Sequence, residues 1–175
     1  IALVLAFLAV GIAWFGAAAS GGLGFTSLAT TVVSLATLAV FLIPLIALLL
    51  AYDAVVGEQE AGTLLLLLTY PISRTQLLLG KFLGHGLILA AATALGFGIA
   101  GAVIAVGAEG VALTELAAGM GLLIGSSILL GWVFIAFAYL ISVWVPEKAR
   151  AAGLALVVVV LFALVLDLGL PARLV

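Results

Sequence analysis

The chain has 175 residues, of which 68% are hydrophobic and only 7% are charged, and its formal net charge is −2. Soluble domains are about half apolar and about a quarter charged, so this composition excludes an ordinary soluble protein. The slight negative charge leaves no basic surface for nucleic acid. Because cysteine is absent, a disulfide framework, a thiolate metal site and a catalytic thiol are also excluded.

Apolar stretches between the charged residues predict five membrane-spanning helices. They lie at about residues 1–15, 28–52, 83–106, 115–145 and 151–168. Most are long enough for a hydrocarbon core that requires about 20 apolar residues per crossing. A β-barrel would show segments of about ten residues with alternating polarity, which the run Leu64 to Leu68 lacks. We therefore predict an all-α, polytopic transmembrane helical bundle.

Both ends of the chain lack the features of a complete membrane protein. Ile1 lies inside an apolar run, with no initiator methionine or basic segment before it, and residues 171–175 follow without a closing helix. The start is therefore not a signal peptide. We expect residues 1–175 to be a single transmembrane domain truncated at both ends.

The positions of the basic residues predict the topology. The first loop (16–27) and the third loop (107–114) contain no Lys or Arg. Four of the five basic residues lie in the second and fourth loops: Arg74, Lys81, Lys148 and Arg150. The positive-inside rule makes those two loops cytoplasmic, which agrees with the alternation of the predicted helices.

The second loop, residues 53–82, is the longest of the predicted loops. Two of its three carboxylates, Glu58 and Glu60, lie shortly before five leucines, which are too few to cross a bilayer. An acidic first turn followed by an apolar run predicts a short helix along the membrane surface. Pro71 is expected to end that helix.

A second helix is predicted to follow within the same loop. Ser73 and Gln76 match a capping box, so this helix should start near Arg74 and continue into the third crossing. Physical reasoning leaves two interpretations of the loop open. It is either an ordered interfacial connection without a partner, or a docking surface for a soluble protein that moves two spanning helices.

Three strings in this loop resemble the cytoplasmic-loop signature of ABC-2 type transporter permeases. They are Gly57-Glu58-Gln59-Glu60-Ala61-Gly62-Thr63-Leu64, Pro71-Ile72-Ser73-Arg74 and Gly80-Lys81. The resemblance implies that residues 53–82 form the coupling loop, whose coupling helix docks on a cytoplasmic ATPase subunit. It assigns this docking role to Glu58, Glu60, Gly62, Thr63, Pro71, Ser73, Arg74 and Gln76.

The same resemblance implies a six-helix permease of the bacterial inner membrane, of which this chain would hold five helices. Two copies would form a homodimer in the lipid bilayer and pair with two ATPase subunits, which would carry the ATP and Mg²⁺. Further strings, among them Gly11 to Ser20 and Leu130 to Tyr139, narrow the resemblance to the permeases of nitrous oxide reductase maturation. Such permeases work with a periplasmic accessory protein and serve the copper-sulfide centre of that enzyme.

The residues themselves favour an external source of energy. The pair Gly80-Lys81 lacks the glycine and the Ser or Thr of a phosphate-binding loop, so no cofactor site is predicted on this chain. The centres of the predicted helices lack the ionisable groups of ion-coupled carriers, and Asp167, beside Gly169 and Pro171, is interpreted as a solvated helix end. The alternatives are a channel or secondary carrier and, with less support, an intramembrane enzyme.

Soft metal ligands are scarce. The chain has one methionine, Met120, one histidine, His85, and no cysteine. Passing copper ions through the protein would require several such ligands in series, so their scarcity favours a sulfur-containing or other small anionic cargo. His85 is interpreted as a structural residue near the cytoplasmic headgroups and Met120 as a packing residue. No catalytic or metal-binding residue is predicted.

Two further patterns concern helix faces. Thr30, Ser34 and Thr37 share a face of the second helix, where they either line a transport pathway or bond between helices and to their own backbone. Trp132 and Tyr139 are seven residues apart on the fourth helix. They are predicted to pack on one face with their polar ends bonded.

Overall fold

The computed structural model describes residues 28–63, 73–107 and 112–169. These three ranges contain helices and no strand. In chain order the helices are α1 (Leu28–Ala51), α2 (Val56–Glu60), α3 (Arg74–Gly107), α4 (Leu113–Trp144) and α5 (Lys148–Gly169). The prediction of an all-α fold is thus confirmed, and α3 begins at the residue that the capping box indicates. The first predicted helix, 1–15, lies outside the described residues.

Four of these helices can cross a membrane. α1, α3, α4 and α5 each contain an apolar window long enough for a spanning helix. Their exposed sides are apolar too, as expected of helices that face lipid. In α3 the exposed leucines include Leu79, Leu83 and Leu87. The chain is therefore multi-pass, and the predicted spans of the second to fifth helices are confirmed.

The structure divides into two compact units. The first unit contains Ile1–Ile43 and Leu87–Leu130. Its described core is formed by small and branched side chains of α1, α3 and α4, with Phe97 as the largest buried one. Met120 is buried, and its side chain would lie 3.3 Å from a Cβ added at Gly101. The interpretation of Met120 as a packing residue is confirmed.

The second unit contains Pro44–Gly86 and Gly131–Val175. It holds the end of α1, all of α2 and α5, the start of α3 and the end of α4. Its aromatic side chains pack edge to face, as between Phe134 and Phe162, whose centroids are 4.9 Å apart. Every contact of residues 53–82 described below lies within this unit.

Candidate functional site

We call residues 53–82 the elbow, of which the structure describes 53–63 and 73–82. The predicted surface helix is interrupted after its first residues, because α2 begins at Val56 and ends at Glu60; the five leucines lie outside the described residues. The reason is Gly62, whose φ of +70° is left-handed and ends the helix. Pro71 lies outside the described residues.

The start of α2 is capped by a residue of another helix. Val55, at the N-cap position, makes no side-chain cap. Instead the Oγ of Ser142, a fully buried residue of α4, accepts hydrogen bonds of 3.0 Å from the backbone N–H groups of Val55 and Val56. These are N–H groups that a helix leaves unpaired at its start. Ser142 therefore ties α2 to the end of α4.

A lysine ties α2 to α3. The Nζ of Lys81 forms a salt bridge with Oε1 of Glu58 and donates a 2.7 Å hydrogen bond to the carbonyl of Ala54. Both side chains are mostly buried, and the second carboxylate oxygen of Glu58 is buried without a hydrogen-bond partner. The attraction between these two charges is stronger than in an exposed ion pair, because less water screens it.

A second lysine ties the elbow to α5. The Nζ of Lys148 lies 2.7 Å from the Asp53 carboxylate, and the backbone N–H of Lys148 donates a 2.6 Å bond to Glu60. The second and fourth loops therefore meet, as expected if both are on the same side of the membrane. Beneath these polar contacts, an apolar cluster joins α2 to the α4–α5 connection: Val56, Val145 and Ala151, with Tyr52 and Ile141 packed against them.

The capping box at the start of α3 forms as the sequence predicts. The backbone N–H of Gln76 donates to the Ser73 hydroxyl at 3.2 Å, and the backbone N–H of Ser73 donates to Oε1 of Gln76 at 3.0 Å. This reciprocal pair fixes the first turn of α3. The start of α3, where the elbow ends, is therefore determined by residues that are close in the sequence.

The predicted docking residues fall into two groups. Glu60, Gly62, Thr63, Ser73, Arg74 and Gln76 are exposed. Glu58 is mostly buried and bonded to Lys81, so its carboxylate holds the elbow together. Sequence reasoning did not single out Gln59, Ala61 and Thr75, which are also exposed there. It also missed Ser142 and Lys148, because their partners in the elbow are distant in the chain.

The aromatic residues of α4 have the predicted arrangement. Trp132 Nε1 donates to the carbonyl of Gly86 at 3.2 Å, and the Tyr139 hydroxyl bonds Nδ1 of His85 at 2.8 Å. A Cβ on Gly86 would lie 3.1 Å from the indole nitrogen, so the close approach of α4 favours glycine there. The interpretation of these residues as packing groups with bonded polar ends is confirmed.

The three candidate pathway residues all lie on α1. Ser34 and Thr37 are exposed, and Thr37 Oγ1 donates a 3.0 Å hydrogen bond to the carbonyl of Val33. This is the bonding to the helix's own backbone that the sequence left open for such hydroxyls. The side chain of Thr30 lies outside the described part, and a pathway role for this face stays a prediction.

Comparison with known proteins identifies the class. The model of the ABC-2 family transporter proteins matches residues 1–172, so the chain belongs to that family. It is 65% identical over its full length to a protein of Stutzerimonas stutzeri and 60% identical to one of Pseudomonas aeruginosa. Both are named "Probable ABC transporter permease protein NosY", which describes transport subunits rather than enzymes.

The two relatives are longer than this chain. All 175 residues of the chain align with each of them, but they span only 63% and 64% of the two relatives' own lengths. The predicted family is confirmed by these matches.

Proposed function

We propose that the chain forms most of the permease subunit of an ABC transporter and that its elbow docks a cytoplasmic ATPase. The observation that carries this proposal is the two-sided construction of α2. Its first N–H groups and the carboxylates of Glu58 and Glu60 are bonded to α4, α3 and α5, while Gln59 and the adjoining Ala61 are exposed. A partner that binds this exposed part would act on three spanning helices at once.

The proposed coupling is a rigid-body movement. Lys81 transmits displacement of α2 to α3, Ser142 transmits it to α4, and Lys148 transmits it to α5. Since packed elements move as units, closure of the partner around ATP would shift these helix ends together. ATP and Mg²⁺ bind to the partner in this scheme, and the permease supplies no catalytic residue.

The proposed assembly follows the resemblance to NosY. Two permease copies form a homodimer in the bacterial inner membrane and work with two ATPase subunits and a periplasmic accessory protein. The proposed cargo is a small, sulfur-containing species for the copper-sulfide centre of nitrous oxide reductase. The identity to two proteins named NosY supports the link to nitrous oxide reductase maturation. The scarcity of methionine and histidine in a chain without cysteine favours this cargo over bare copper.

The docking role is tested best at Ala61. Replacing Glu58 or Glu60 would disturb bonds within the elbow, whereas Ala61 is exposed and adjoins the end of α2. We expect Ala61→Arg in the full-length permease to weaken binding of the ATPase subunit at least tenfold, because it places a long charged side chain in the interface. Binding is measured by titration in detergent.

Ala112→Arg is the matched control. Ala112 is exposed just before α4, in the loop predicted to be on the opposite face of the membrane. It should leave the affinity unchanged. If Ala61→Arg binds the ATPase as tightly as the control, the elbow is not the docking surface. Transport by the permease without any ATPase would instead support the channel or secondary-carrier alternative.

A further inference from the structure

A cavity of about 350 Å³ opens where α3 begins, beside α2 and the last turn of α4. Its volume is in the range of small-molecule sites. Four apolar side chains line it: Val55, Leu77, Leu78 and Val143. Among the described residues, three charged side chains also line it: Glu58, Arg74 and Lys81. A ligand that fits this lining has both an apolar part and a charged part.

The charges of the cavity define the charged part. Lys81 is already bonded to Glu58 and to the carbonyl of Ala54, so its charge is balanced. Arg74 is exposed, and it forms no ion pair with any residue of the described ranges. One positive charge is therefore left over. A guanidinium offers paired N–H donors that match the oxygens of a phosphate group.

The position of the cavity along α3 indicates where the ligand comes from. α3 has 34 residues and is therefore about 50 Å long, whereas the hydrocarbon core is about 30 Å thick. The helix must extend beyond that core, and Arg74, its first residue, suits the headgroup layer. Leu77 and Leu78, one turn further along, lie toward the acyl chains. The change from a charged end at Arg74 to an apolar end at Leu77 and Leu78 matches the headgroup and acyl chains of a phospholipid.

We propose that the cavity binds phosphatidylglycerol of the cytoplasmic leaflet. Its phosphodiester contacts Arg74, and its glycerol backbone and upper acyl chain pack on Leu77, Leu78 and Val143. The single negative charge of this lipid balances the one unpaired cation. Phosphatidylethanolamine would bring an ammonium group toward Arg74 and Lys81, which disfavours it. The site shares Arg74 with the predicted docking residues, but its test does not depend on docking, since lipid binding is measured on the permease alone.

The test measures lipid binding to the full-length permease by native mass spectrometry, with phosphatidylglycerol or phosphatidylethanolamine added to the detergent. We expect the wild type to bind phosphatidylglycerol about fivefold more tightly than phosphatidylethanolamine. This factor corresponds to about 1 kcal/mol, the contribution of one basic residue. Arg74→Gln should abolish that preference. Arg150→Gln is the matched control, because Arg150 is exposed and already paired with Glu147, and it should retain the preference.

A second variant tests the apolar wall. Val143→Trp fills the cavity while leaving Arg74 in place, and it should weaken phosphatidylglycerol binding by a similar factor. Equal binding of the two lipids to the wild type would overturn the proposal without any variant. Retention of the preference in Arg74→Gln would overturn it as well.

Discussion

At the scale of single residues, Ser142 has the most specific role in the elbow. Its hydroxyl accepts two hydrogen bonds from the start of α2, 86 and 87 residues away in the chain. The sequence around Ser142 could not predict this contact, because the contact depends on how α4 packs against α2. The Ser73–Gln76 capping box was predictable, since both partners lie within one turn.

Removal of the Ser142 hydroxyl tests this cap. We expect Ser142→Ala to destabilise the start of α2 by about 1 kcal/mol, because two backbone N–H groups lose their acceptor. The measurement is hydrogen exchange at the amides of Val55 and Val56, which should become about fivefold faster. Ser126→Ala is the control, since Ser126 bonds only the carbonyl of Leu123 in its own helix. Equal exchange in the two variants would show that Ser142 does not cap α2.

At the scale of elements, α2 is too short to be stable alone. It has five residues, whereas isolated helices shorter than about 12 residues are marginal in water. Its stability comes from the apolar contacts of Val56, from the Ser142 cap and from the two lysine contacts. The sequence predicted a helix here but not its break after Glu60, because the effect of Gly62 was not recognised beside an apolar run.

The end of α2 can be tested by Gly62→Ala. No atom lies within 4 Å of a Cβ at this position, so the cost is that of the left-handed φ alone, about 1 kcal/mol. The elbow should open more often, and cleavage after Glu60 by a glutamate-specific protease should become about fivefold faster. Gly98→Ala, within α3 and equally free of contacts, should not change the cleavage rate. A rate unchanged by Gly62→Ala would contradict a conformational role for this glycine.

At the scale of the whole molecule, the scarcity of charge made the topology predictable. Few charged residues interrupt the apolar runs, so the ends of four spanning helices could be predicted from composition and length. The contacts of Lys148 with Asp53 and Glu60 agree with a shared side for the second and fourth loops. What could not be predicted was which charges pair, because Lys81 and Lys148 find partners 23 or more residues away in the chain.

Those pairings changed the interpretation of the docking loop. The resemblance assigned Glu58 to the docking residues, and in the structure its side chain is mostly buried and bonded to Lys81. Its docking role stays a prediction. The exposed surface consists of the end of α2 and the start of α3, including Ala61 and Thr75. The extent of the permease domain, residues 1–175, stays a prediction.

The central claim, that the elbow is the surface gripped by the ATPase, is tested most directly by site-specific crosslinking of the assembled transporter. Residues 1–175 contain no cysteine, so single cysteines at Ala61, Thr75 and Ala112 can carry a photoreactive label once any cysteine elsewhere in the full-length permease has been replaced. We predict crosslinks to the ATPase subunit from Ala61 and Thr75 and none from Ala112. Crosslinking from Ala112, or its absence at both elbow positions, would contradict the claim.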